Sequence, residues 1–174
     1  MVPGRQCDEE GCMATIVGTL NADTLRGSDE ADSIRGDAGD DFIDGNEGDD
    51  TILGNQGSDT VVGSEGADLL EGGRDGDLIG GAEDGDLIYG DNDGDTLEGN
   101  RGADTIFGGD GSDLIHGGKD DDLLSGSMGD DVVYGDDGAD NIDALDGKNL
   151  ILGGPLSDSV FCFGGTNIVQ GNDG

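Results

Sequence analysis

Fourteen aspartates stand nine residues apart without a break: Asp23, Asp32, Asp41, Asp50, Asp59, Asp68, Asp77, Asp86, Asp95, Asp104, Asp113, Asp122, Asp131 and Asp140. A carboxylate can shuttle protons or bind a hard cation, and the strict period separates the two. Acid–base work needs carboxyl groups held in different environments, whereas a row of equivalent carboxylates repels itself unless cations lie along it. The overall charge agrees. Forty-two acidic residues face seven Lys and Arg, a formal net charge of -35, which argues against nucleic acid and anionic membranes as partners and points to metal cations.

The segments that must position these aspartates are visible in the same period. Laid out in nines from Gly18, the chain gives seventeen units ending at Gln170, among them "GNEGDDTIL", "GNQGSDTVV" and "GSMGDDVVY". Position one is glycine except at Ala144 and Cys162, and after Asp140 position six reads Asn149, Asp158 and Asn167. Position eight is aliphatic in every unit, from Leu25, Ile34, Ile43 and Ile52 through Ile142, Ile151, Val160 and Val169, with Ile16 one unit upstream.

Nine residues are too few for a helix pair, so the x-aliphatic-x segment at positions seven to nine reads as a short strand with position eight inward. The Gly-, Asn- and Asp-rich residues before it supply the turn. Two units make a flattened coil of eighteen residues, and stacked coils pair each strand with the one eighteen residues away. The expected fold is all-β, two parallel sheets around an aliphatic ladder with a row of turns along each edge. With 38 glycines, no tryptophan and six Phe and Tyr, the unaided chain is too poor in apolar surface to fold against its own charge.

Other chemistry is thinly represented. His116 is the only histidine and falls on an outward position, and neither H-E-x-x-H nor G-x-S-x-G occurs, which removes the usual zinc-protease and serine-esterase arrangements. "DNDGDTLEG" (91–99) fails as an EF-hand loop because glycine precedes Asp95 and the twelfth position is Gly102. Three cysteines allow at most one internal disulfide, for which Cys7 and Cys12 are the candidates, and none has zinc-site spacing. No apolar run is long enough to span a bilayer, and residues 1–17 lack the pattern of a signal peptide. The expectation is a non-enzyme.

"GGDGSDLIH" (108–116) meets the G-G-x-G-x-D-x-U-x consensus at each defined position, and the chain thereby resembles the RTX, or haemolysin-type, calcium-binding repeats. The resemblance implies a right-handed parallel β-roll, with intact repeats over residues 18–143 between an N-terminal cap at 1–17 and a degenerate C-terminal cap at 144–174. It also implies calcium held between turns eighteen residues apart, by the fourteen aspartates together with the backbone carbonyls of Gly36, Gly39, Gly45, Gly48, Gly54, Gly57, Gly63, Gly66, Gly99, Gly102, Gly108, Gly111, Gly126 and Gly129. Asn149 and Asp158 rank as weaker ligands, and roughly twelve ions is the ceiling, six gaps between seven turns on each edge. Position four departs from glycine at Asn21, Glu30, Asp75, Asp84, Asp93 and Asp120; Asn and Asp tolerate left-handed geometry, which leaves the Glu30 turn the poorest fit.

The implied function is a calcium-dependent folding module of an exported bacterial protein, passed unfolded through a one-step secretion machine and folded outside the cell. Two rival readings stand beside it: a non-catalytic fragment of a secreted enzyme or toxin, favoured by the halt in mid-unit at "GNDG", and an extracellular adhesive or structural protein. Outward Leu69, Leu87, Leu123, Tyr89 and Phe107 on one sheet, and Leu114, Val132, Tyr134, Leu150 and Leu152 on the other, are expected to form apolar patches that a neighbouring domain or a second copy could cover.

Overall fold

A computed structural model describes residues 13–171. Eighteen strands follow one another with no helix among the described residues. The odd-numbered strands form one sheet of nine and the even-numbered strands another, each in sequence order. Short strands β1 (Thr15–Val17) and β2 (Thr24–Arg26) open the roll, twelve strands of six residues run from β3 (Ser33–Ala38) to β14 (Val132–Asp137), and β15 (Asn141–Ala144), β16 (Leu150–Leu152), β17 (Ser159–Cys162) and β18 (Ile168–Gln170) close it.

All pairings are parallel and hold a register of eighteen: Ile34 faces Ile52, Ile52 faces Leu70 and Ile43 faces Val61. The strands are longer than the three residues expected. They continue from position nine through the glycine at position one to position three, as in Phe42–Glu47 and Thr51–Gln56. The reason is that parallel pairing uses backbone groups alone, and neighbouring coils offer the same backbone at the same height whatever the side chains.

Alternation follows the pleat. Position eight and the position-one glycine point inward and are buried, while seven and nine face out. The ladder from Leu25 to Ile151 is one continuous cluster joined by Ala144, with Ile16 and Val160 packed against its ends; Val169 lies beyond it, 47% exposed. Residues 144–170 thus extend both sheets in register, and they leave Phe161, Phe163 and Ile168 exposed at the open end.

The outward rows fall as the register dictates. Leu69 faces Leu87, and Tyr89 stacks on Phe107 with ring centroids 5.2 Å apart, while Thr105 separates Leu87 from Leu123. On the other sheet Leu114, Val132 and Leu150 are successive neighbours, Tyr134 faces Leu152, and His116 stacks on Tyr134 at 4.4 Å with its Nδ1 2.9 Å from Asp136 Oδ2.

Candidate metal centres

Each position-six aspartate ends a turn and immediately precedes a strand, so its side chain is carried inward beside the ladder. From Asp32 to Asp140 these aspartates are only 1–4% exposed. One oxygen, Oδ1, is committed to the fold, because it accepts the backbone N–H of the residue eighteen upstream, Ala14 for Asp32 and an aspartate thereafter: Asp41 Oδ1 from Asp23 (2.7 Å), Asp59 Oδ1 from Asp41 (2.8 Å), Asp68 Oδ1 from Asp50 (2.7 Å), and onward to Asp140 Oδ1 from Asp122 (3.0 Å). Asp50 and Asp59, nine apart in sequence, therefore belong to separate rows.

The second oxygen has no such partner. In all twelve aspartates from Asp41 to Asp140, Oδ2 is buried without a hydrogen bond. A buried unsatisfied polar atom costs about 1–3 kcal/mol, more when charged, and native domains are stable by only about 5–15 kcal/mol in total. Twelve such atoms cannot stay unpaired in a folded protein at neutral pH.

The surroundings of Oδ2 are built by glycine. A methyl group at Gly54 would overlap Asp59 Oδ2 and come within 2.7 Å of the Gly72 carbonyl in the next coil; at Gly45 the pair is Asp50 Oδ2 and Gly63 O, again at 2.7 Å for the latter. Glycine is required there for close approach: the carboxylate and a carbonyl of the next coil converge on the space beside its α-carbon. Two oxygen atoms of negative charge or partial charge facing one gap fit a hard cation, which favours carboxylate and carbonyl oxygens. Where position one stops being glycine, at Ala144 and Cys162, position six stops being aspartate, at Asn149 and Asn167.

Among the carbonyls expected from sequence, those of Gly54, Gly63, Gly108 and Gly126 face this gap from the following coil, while Gly36 O and Gly45 O face Gly18 and Gly27. Gly72, Gly81, Gly90, Gly117, Gly135 and Gly153 place carbonyls in the same position and escaped the sequence reading. Four of these open units whose fourth residue is Asp75, Asp84, Asp93 or Asp120, and those aspartates adopt φ of 70–74°, the left-handed turn that glycine makes elsewhere. The carbonyls at position four stack instead on the position-four α-carbon of the next coil, Gly39 O on Gly57 and Gly48 O on Gly66.

Burial pushes these carboxyl groups up, partly offset by the N–H bond each accepts and reinforced by neighbouring carboxylates. Asp68, Asp77, Asp86, Asp95 and Asp122 rise to about 7, and Asp50, Asp59, Asp104, Asp131 and Asp140 to about 6. Asp41 is raised in the same way, and Asp113 by burial without a contribution from neighbouring carboxylates. Each row asks for positive charge, from a proton or a metal.

The two ends depart from this pattern. Asp23 Oδ2 accepts the Thr19 N–H (2.6 Å) and hydroxyl (2.8 Å), and Asp32 Oδ2 the Ser28 N–H (2.6 Å) and hydroxyl (2.9 Å). Asn149 keeps the ladder bond, accepting from Asp131 N–H at 2.8 Å, but presents Nδ2, buried and unpartnered, where the others present Oδ2. Asp158 Oδ1 accepts from Asp140 N–H at 3.1 Å, and the aspartate itself is only half-buried. Among the described residues no three acidic, His or Cys side chains converge on one point; each gap receives one position-six carboxylate. Cys162 is exposed with a free thiol; the Cys7–Cys12 pair lies outside the described residues.

No curated protein matches the chain. The RTX calcium-binding nonapeptide repeat matches in four consecutive copies, residues 17–52, 53–88, 89–124 and 125–160, each two coils long. With the strand register, the buried aspartate rows and the glycine-lined gaps all on this period, the chain belongs to the RTX calcium-binding nonapeptide repeat family.

Proposed function

We propose that this protein is a calcium-dependent folding module of an exported bacterial protein, without catalytic activity of its own. The observation that carries the reading is the pair of rows, six on each edge, of buried Asp Oδ2 atoms with no hydrogen-bond partner. The ligands would be the position-six aspartates of the roll and the position-one carbonyls of the next coil, which belong to glycine except at Ala144, in the coil that follows Asp131. Bound there, calcium would supply the compensating charge and a demand for six to eight oxygens.

The chain does the rest. Glycine at position one keeps each gap open, Oδ1 fixes the carboxylate by its ladder bond, and the alternation of strands delivers successive aspartates to opposite edges. Because the gaps exist only when coils are stacked, binding free energy is folding free energy. A chain with so much like charge stays extended where calcium is scarce and rolls up where it is plentiful, which suits passage through a secretion machine and folding outside the cell. Extracellular modules of this kind need only sub-millimolar to millimolar affinity. The coils from residue 144 close the array, since their loss of acidic residues ends the rows.

A second reading rests on the outward faces. The Tyr89–Phe107 and His116–Tyr134 stacks and the leucine rows beside them suit a neighbouring domain or an adhesive surface carried on the same roll.

Far-ultraviolet circular dichroism on the full chain tests the main reading. A chelated sample lacks β signal, millimolar calcium restores it cooperatively, and magnesium at the same concentration does not. Full β signal in chelator would overturn the folding role.

A further inference from the structure

We infer that the first coil of the roll takes no calcium: the Thr19 and Ser28 N–H and hydroxyl groups satisfy Asp23 and Asp32 as internal substitutes for the cation. This rests on reading the orphaned Oδ2 atoms of the later turns as calcium ligands. The array then begins one coil in, at Asp41 and Asp50, and runs to Asp131 and Asp140.

The difference lies in the backbone. In every turn from residue 36 to residue 140 the second residue has positive φ, from Asp37 (76°) and Asn46 (84°) to Ser127 (70°) and Asp136 (65°), and in each of these turns Oδ2 is orphaned. Thr19 and Ser28 are not in that conformation, and their amide and hydroxyl both reach Oδ2. A hydroxyl alone is insufficient, as two internal controls show. Ser64 and Ser127 occupy the same unit position with positive φ; Ser64 Oγ donates to Asp44 Oδ1 instead, Ser127 Oγ sits 3.5 Å from Ser125 Oγ, and Asp68 and Asp131 stay orphaned.

Residue type explains the local choice. β-Branched Thr19 resists positive φ, and at position four Asn21 and Glu30 stand where most turns have glycine or a left-handed aspartate. The ceiling of twelve is unchanged, but its members shift. The gaps after Asp23 and Asp32 drop out, and those after Asp131 and Asp140, which a count of intact turns omits, enter.

Native mass spectrometry of the full chain in calcium decides it. Asparagine keeps the ladder acceptor, as Asn149 does, while replacing the charged Oδ2 with an amide NH2 that cannot bind a cation. Asp23→Asn with Asp32→Asn should bind as many ions as the wild type, as should each single variant. Asp41→Asn with Asp50→Asn should bind two fewer. If both double variants lose two ions, the inference is overturned and the calcium reading stands; a wild-type chain that binds no calcium overturns both. Circular dichroism in saturating calcium confirms that the variants compared are folded.

Discussion

Asp23 and Asp41 occupy the same place in the nonapeptide one coil apart, and their carboxylates meet opposite fates. In Asp23 both donors of Thr19 close on Oδ2; in Asp41 the same oxygen is buried with nothing to bond. Ladder and register are shared by the two regions, so neither the aspartate nor the fold separates them. On the reading proposed above, a cation site needs a turn whose second residue is held at positive φ, which leaves Oδ2 without the amide and hydroxyl donors that close on it in the first coil.

The largest expected effect tests whether the orphaned rows dominate stability. Their folded pKa values, about 6 to 7, lie above the ordinary value near 3.9, so the folded state holds more protons than the unfolded chain. Without calcium, this contribution is therefore fully present below about pH 4 and is lost as pH rises through 6 to 7. A chelated sample should gain β signal on acidification from pH 8 to 5. With calcium present the sign of the metal's own effect is opposite, because protons compete for the same oxygens, and the calcium midpoint should rise as pH falls.

Next in size, truncating the shared ladder separates the middle from the end. Ile88→Ala, fully buried in mid-roll, should cost about 2–5 kcal/mol, and Leu25→Ala in the first coil less, as urea midpoints at saturating calcium would show. Gly54→Ala, whose methyl overlaps Asp59 Oδ2, should cost roughly 1–3 kcal/mol from overpacking and also remove a bound ion. Conversely, Ala144→Gly with Asn149→Asp should lengthen one row by a site. Smallest of all, Thr19→Val, which removes the exposed hydroxyl bonds to Asp23 Oδ2 (2.8 Å) and from the Asn21 N–H (3.3 Å), should cost about 0.5–1.5 kcal/mol with no change in ion count, whereas Ser127→Ala, whose hydroxyl makes only a 3.5 Å contact, should cost less.

Much of this was legible in the residues because side-chain chemistry repeats on the period. The Ile and Val column fixes which face is inward, and its constancy fixes the eighteen-residue register. Strand length was not legible, since Gly45–Glu47 looks like turn by composition and pairs through its backbone alone. Nor was the role of Gly72 or Gly90, because an aspartate at position four disguises a turn that aspartate can make. The fate of Asp32 against Asp68 was hidden for a further reason: Ser28 and Ser64 are the same residue at the same position, and only the φ imposed by the rest of the turn separates them. Glu30, the poorest fit to the repeat, was the one visible sign.

Amide hydrogen exchange on the full chain, in chelator and in calcium, addresses the central claim most directly, because the amides of Asp23 to Asp140 are the ones that bond to Oδ1 of the next coil. These amides should exchange freely in chelator and become protected together as calcium is added. Protection of the same amides in chelator at neutral pH would show that the rows stand without a cation, and would contradict the account.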